Sequence, residues 1–228
     1  MTTAATAFLK HRLQEELTPS LEDDQVDTSR SPKSILGLTQ SLFITADAAS
    51  PDKRKYRLFI DAFRGGGDSV THQIHNCLLD SQSRDTLEIR LNNNGGSVSE
   101  GLRLLHVMCN QFHGRTTVVL ECNALSMAAM VFVKGDVRVI HPMSRLMFHN
   151  YSSMAVGKGG ELEDTIAQEN STRDKLYQEV LAYGWLTQDE YDRMLDGKDI
   201  WLEFDDLVSR GIATHVMDQG DRVPVDKY

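Results

Sequence analysis

Strand-like and helix-like segments alternate along the chain from residue 56 onward. Residues 56–63, 86–93 and 115–122 are rich in apolar and β-branched side chains and have the length of strands. The intervening residues 65–82 and 98–112 carry apolar side chains at helical spacing. This order favours right-handed crossovers between parallel strands. The sequence therefore predicts an α/β fold built on a largely parallel sheet.

The ends of the predicted strands carry the residues most suited to chemistry. Functional groups in parallel α/β sheets gather at the carboxyl ends of the strands. The pair Gly95-Gly96, Ser126 and His149 lie at or just beyond such ends. Consecutive glycines allow a backbone to approach a ligand closely and to direct N–H groups toward it. Neither of the common phosphate-cradling glycine motifs is present here.

Ser126 lies where a strand-like run meets a segment of small and flexible residues, 124–130, that is typical of a tightly packed helix. Two interpretations are open at this point. A serine that opens a helix is usually an N-cap. A serine at that position can also be a nucleophile, because unpaired backbone N–H groups at a helix start stabilise a developing oxyanion.

A nucleophilic serine needs a base, and the base needs an acceptor that orients it. Among eight histidines, His149 is the best placed, because it ends an apolar strand where the chain leaves the sheet. Asp199, at the start of the strand-like residues 200–202, is one candidate acid among many. The histidine spacing gives at most a weak metal site, and we expect neither metal nor cofactor.

Composition limits the possible partners and the compartment. The net charge of −9 argues against nucleic acid as the main partner, because phosphate binding needs a basic face. No apolar run approaches the roughly 20 residues that span a bilayer, so we expect no membrane insertion. The N-terminal residues lack a signal-peptide core, and we expect a cytoplasmic protein. Three cysteines without a C-x-x-C spacing indicate no disulfide framework, and we expect each to be buried.

Two segments differ from the rest of the chain. Residues 1–35 are polar and mixed in charge, and they predict a flexible N-terminal arm. Residues 36–228 form the predicted folded domain. Within it, a long helix over about residues 161–183 has few apolar positions, so it needs a partner or projects from the body.

Four segments, taken together, resemble the signature blocks of the ClpP serine peptidases, the proteolytic subunits of ATP-dependent Clp proteases. They are NNNGGSVSEG (92–101), CNALSMAAM (122–130), SRLMFHN (144–150) and KDIWLEFDDLVSRGIAT (198–214). Their order and spacings are similar to those of the family, and the resemblance covers about residues 57–218.

The resemblance implies a ClpP/crotonase-like fold of repeated β-β-α or β-α units with a projecting handle helix, about residues 152–184. It implies a serine-type endopeptidase with Ser126 as nucleophile, His149 as general base and Asp199 as the residue that orients it. The backbone N–H groups of Gly96 and Met127 would form the oxyanion hole. The implied partners are a polypeptide substrate, further copies or a paralogue in rings of seven, singly or stacked, and an AAA+ unfoldase. A plastid stroma would be the setting if the gene were organellar.

The chain departs from the family pattern in several places. Asn93-Asn94-Gly95-Gly96 stands where the family has Ser-Pro-Gly-Gly, and Ala128 replaces a glycine expected beside the substrate strand. Lys198 replaces an arginine that pairs between rings. These departures suggest a divergent member, and a viral maturation protease is one alternative. A catalytically silent ring subunit is a second, but such a subunit has no reason to keep Ser126, His149 and Asp199 together. A crotonase-type acyl-CoA enzyme is a third, and it would use acidic catalytic residues.

Overall fold

The fold is known from a computed structural model, which describes residues 33–37, 40–47, 50–64, 69–152 and 156–228. All of them belong to one compact unit, Pro32–Tyr228. Of the predicted flexible arm, residues 1–35, the first 32 residues lie outside the described part of the chain. Residues 33–35 belong to the first strand. The described strands are β1 (Lys33–Gly37), β2 (Gln40–Asp47), β3 (Ser50–Ile60), β4 (Thr86–Asn93), β5 (Thr116–Leu125), β6 (Val137–Ile140), β7 (Arg145–Phe148), β8 (Ile200–Leu202), β9 (His215–Asp218) and β10 (Asp221–Pro224). The α-helices are α1 (Ser69–Leu79), α2 (Val98–Gln111), α3 (Met127–Val133), α4 (Gly159–Ala182), α5 (Gln188–Leu195) and α6 (Phe204–Ser209).

These strands form one mixed sheet. Its main order is β1-β2-β3-β4-β5-β6-β9-β10, and β7 pairs with both β5 and β8. The pairs from β3 to β6, and the pairs β5–β7 and β6–β9, are parallel. The β1–β2, β2–β3, β7–β8 and β9–β10 pairs are antiparallel. The predicted α/β fold with a largely parallel centre is confirmed.

Two boundaries differ from the sequence-based expectation in ways that matter for the site. Strand β5 was expected to end near residue 122 and bend, but it continues to Leu125 because β7 pairs with residues 123–125. Strand β3 was expected to begin at residue 56, but it begins at Ser50. In this added stretch Asp52, Arg54 and Lys55 form ion pairs. Arg54 binds the buried Asp85 through both its backbone N–H and its guanidinium.

The hydrophobic core lies along the central strands and under α2 and α3. All seven residues of α3 are buried, including Ala128, which is fully shielded from solvent. Ala128 stands where the ClpP pattern has a glycine, and the methyl group that distinguishes the two residues therefore lies in the core. The expectation of buried cysteines is wrong, because Cys109 is exposed and Cys77 and Cys122 are only partly covered.

Helix α4 is the long polar helix expected from the sequence. Its 24 residues include two buried ones, Tyr177 and Val180, both in its second half. Ile166, in the first half, is 48% exposed. The helix therefore rests on the body through its C-terminal half. No helix among the residues that the structure describes is long and apolar enough to cross a bilayer.

Glu88 on β4 is a buried carboxylate with an unusual number of cationic partners. It is 2% exposed. Its ion-pair partners are Lys55 at 2.7 Å, Arg57 at 2.8 Å, Arg90 at 3.3 Å and Arg222 at 2.5 Å. Burial alone would raise the pKa of Glu88, but hydrogen bonds from Lys55, Arg222 and Arg57 outweigh it and lower the pKa to about 2. The charged carboxylate thus links β3, β4 and β10.

Replacing Glu88 with glutamine is expected to lower the free energy of unfolding by about 3 kcal/mol at pH 7, because Lys55, Arg57 and Arg222 lose their counter-charge. The pKa of Glu88 falls from 4.5 when exposed to about 2 when folded, so its stabilisation is complete above pH 4.5 and is lost as the pH falls toward 2. Urea unfolding at pH 7, 4 and 3 measures the free energy of unfolding of the native protein and of the variant. We expect the difference between the two to become smaller as the pH falls.

The control is Asp52→Asn, whose ion pair with Arg84 is exposed on both sides. We expect that change to alter the free energy of unfolding by under about 0.5 kcal/mol. An equal effect of Glu88→Gln at all three pH values would contradict the electrostatic explanation.

Candidate active site

Ser126 lies between the end of β5 and the first residue of α3, in a backbone conformation that side chains rarely adopt. Its φ is 58° and its ψ is −125°, at a cost of about 1–3 kcal/mol for a residue other than glycine. Its N–H donates to the carbonyl of Met147 on β7 at 2.9 Å. Its side chain makes no capping hydrogen bond. The N-cap interpretation therefore does not explain why a serine stands at this strained turn.

The glycine turn after β4 packs directly against Ser126. A methyl group added at Gly95 would lie 2.7 Å from the Ser126 Cβ atom, and one at Gly96 would lie 2.1 Å from the carbonyl oxygen of Phe63. Gly96 has a φ of 129°. The Phe63 backbone binds both sides of this turn, donating to Gly95 at 3.0 Å and accepting from Ser97 at 2.8 Å. Both glycines are thus required by close backbone contacts.

Asn93 holds the same turn from inside. The side chain is 1% exposed, and its Oδ1 atom accepts a hydrogen bond from the Gly95 N–H at 2.6 Å. This interaction fixes the turn without the proline that the ClpP pattern has one residue later. The N–H groups of Gly96 and Met127 donate no hydrogen bond to any residue in the described part of the chain.

His149 directly follows β7, and α4 holds the segment around it. The Tyr177 hydroxyl donates to the carbonyl of His149 at 3.1 Å, and burial raises the pKa of that hydroxyl, so it remains a donor. Arg173 donates to Asn150 at 3.3 Å, and Tyr151 donates to Asn170 at 3.0 Å. The handle helix therefore positions the backbone that carries the candidate base.

Asp199 directly precedes β8, and the antiparallel register brings it toward His149. Phe148 pairs with Ile200 at the end of the β7–β8 ladder, so the next residues beyond that pair are His149 and Asp199. Residues opposite each other in such a ladder are close neighbours. The Asp199 side chain is exposed. Among the described residues, no hydrogen bond joins it to His149, and none joins the His149 ring to the Ser126 hydroxyl.

Ser126 and His149 line one cavity of about 390 Å³. Helices α2, α3 and α4 form its walls, with Val98, Leu102, Met130 and Leu176 among the apolar lining residues. Asp199 is not among the lining residues. No cluster of three or more metal-ligating side chains occurs in the described ranges. The cavity thus opens beside a serine and a histidine, between apolar side chains and the polar residues of α4.

Comparison with known proteins identifies the family. The model of the Clp protease family matches residues 65–220. The chain belongs to the Clp protease family. A search of curated proteins finds no match to the chain. Members of the Clp protease family are ClpP-like peptidases that typically assemble into oligomeric rings.

The Clp protease match covers all four signature blocks and the handle helix. Tyr177 and Glu169 are among the cavity residues that sequence reasoning did not find. Tyr177 is one of the two buried residues of α4, and its aromatic side chain beside Leu176 was the only available signal. Glu169 also lines the cavity, but in the sequence it is one of many acids on a polar helix. Only the packing of α4 beside Ser126 brings Glu169 to the cavity.

Proposed function

We propose that this Clp protease family member is a serine endopeptidase that cuts unfolded polypeptides through an acyl-enzyme. The observation that carries the proposal is the placement of Ser126 at a strained strand-to-helix turn, uncapped, in one cavity with His149. A strained turn exposes a nucleophile and holds it in one orientation.

In the proposed mechanism, the Ser126 Oγ atom attacks the peptide carbonyl carbon while a ring nitrogen of His149 takes the hydroxyl proton. Asp199 accepts a hydrogen bond from the other ring nitrogen and stabilises the imidazolium. The C–N bond then breaks, and His149 gives the proton to the leaving amine. Water attacks the resulting ester, and its proton passes through His149 to Ser126 as the bond to the serine breaks.

The negative charge that develops on the carbonyl oxygen needs donors. The Gly96 and Met127 N–H groups are the proposed pair, because Gly96 follows the glycine that packs on Ser126, Met127 follows Ser126 itself, and neither N–H has a partner in the described part of the chain. Gly95, whose Cα is packed against Ser126, allows the two segments to approach.

We further propose that seven copies, or copies mixed with a paralogue, form one or two stacked rings around a chamber. The weakly packed first half of α4 supports this assembly, because its exposed Ile166 would find a partner there. In this arrangement an AAA+ unfoldase would deliver the polypeptide substrate.

A second candidate is a catalytically silent ring subunit. The observation that favours it is the missing Ser126–His149 hydrogen bond within the described residues. Catalytic hydrogen bonds are often long before substrate binds, so the missing bond does not exclude an active enzyme.

The test of reaction class is incubation of the full chain, in its assembled state, with fluorescent unfolded casein, short fluorogenic peptides and acyl-CoA thioesters. Native mass determination on the same sample gives the number of subunits. We expect cleavage of casein and peptides and no reaction with the thioesters. An intact ring that cuts neither would support the silent subunit, and turnover of thioesters alone would support a crotonase-type enzyme.

A further inference from the structure

The cavity beside Ser126 carries a charge that its apolar walls do not explain. Val98, Leu102, Met130 and Leu176 give it a surface suited to a hydrocarbon chain. Helix α4 adds Glu169, which is half-buried. A carboxylate in such surroundings is costly unless it finds a cation or hydrogen-bond donors.

The buried oxygen of Glu169 has no partner in the part of the chain that the structure describes. Its Oε2 atom is shielded from solvent and makes no hydrogen bond there. The one cation that lines the same cavity, Arg173, is directed elsewhere. It pairs with Asp174 at 2.8 Å and donates to Asn170 at 2.9 Å. Glu169 is therefore the charge in this cavity that remains uncompensated.

Resting on the peptidase function proposed above, we propose that Glu169 selects substrates with a basic side chain, lysine or arginine, on the amino side of the cleaved bond. The cavity adjoins the candidate nucleophile, so the side chain nearest the cleaved bond is the one that would enter it. The methylene stem of lysine or arginine fits the apolar walls, while its charged end reaches the Glu169 carboxylate. Such a side chain satisfies both features, whereas an apolar one would leave the half-buried Glu169 carboxylate without a cation.

The test uses four fluorogenic peptides that differ only at the residue on the amino side of the cleaved bond, which is lysine, arginine, norleucine or glutamate. Norleucine matches the lysine stem but lacks the ammonium group. For the native full chain we expect kcat/KM with lysine to exceed that with norleucine by at least about tenfold. Glu169→Gln should bring this ratio near one, and Glu169→Leu should favour norleucine.

Glu163→Gln is the matched control, because Glu163 is an exposed acid on the same helix and does not line the cavity. It should leave the ratio unchanged. Equal or faster cleavage after norleucine by the native chain would overturn the inference and leave the peptidase function standing. A lysine preference that persists in Glu169→Gln would overturn it as well. Failure to cut any of the four peptides, or casein, would instead overturn the peptidase function itself.

Discussion

Replacing Ser126 with alanine is expected to reduce kcat/KM for peptide hydrolysis by about 10⁴-fold or more, because the attacking oxygen is removed. The fold and the assembly should be unaffected. The Ser126 side chain makes no capping hydrogen bond, and its N–H would still donate to Met147. Steady-state hydrolysis, with native mass determination of both proteins, measures the two effects separately.

Ser152→Ala is the matched control for this experiment. Ser152 lines the same cavity but does not lie at the strained turn. We expect Ser152→Ala to retain kcat/KM within about threefold, since it removes no proposed catalytic group. Retained hydrolysis by a pure Ser126→Ala sample would rule out Ser126 as the nucleophile.

Replacing Gly96 with alanine should have the second largest effect. The new methyl group would meet the Phe63 carbonyl oxygen at 2.1 Å, and the φ of 129° is strained for alanine. The turn must therefore shift, which moves the proposed Gly96 donor away from the developing oxyanion. We expect kcat/KM to fall by about 100-fold or more, the effect of losing one oxyanion donor.

Gly114→Ala separates backbone strain from displacement of the donor. Gly114 has a φ of 71°, but a methyl group there would meet nothing within 4 Å. This control should lose about 1 kcal/mol of stability and keep its activity. Both variants are compared by urea unfolding and by hydrolysis at a temperature where each is folded. If Gly96→Ala were as active as Gly114→Ala, the oxyanion assignment would be wrong.

Local sequence patterns were sufficient for most of the elements that carry the site. Strand β4 has the predicted limits, and β7 ends directly before His149. The prediction worked there because buried parallel strands are short apolar runs with clear boundaries. Strand β10 was not predicted, since its half-exposed residues pair only through β9 and show no strand pattern of their own.

The geometry of the site depended on contacts that a local pattern does not contain. The extension of β5 to Leu125 follows from pairing with β7, and the positive φ of Ser126 occurs directly after that pairing, where Gly95 approaches closely. The juxtaposition of His149 and Asp199 arises from the β7–β8 register across about 50 intervening residues. Before the structure, only the family resemblance linked these residues.

The central claim is that Ser126 is an activated nucleophile. The most direct measurement is labelling of the assembled full chain with a fluorophosphonate, followed by peptide mapping. The account predicts one modified residue, Ser126, and no labelling in Ser126→Ala or His149→Ala. Labelling at a different serine, or none in an intact ring that does cut peptides, would contradict it.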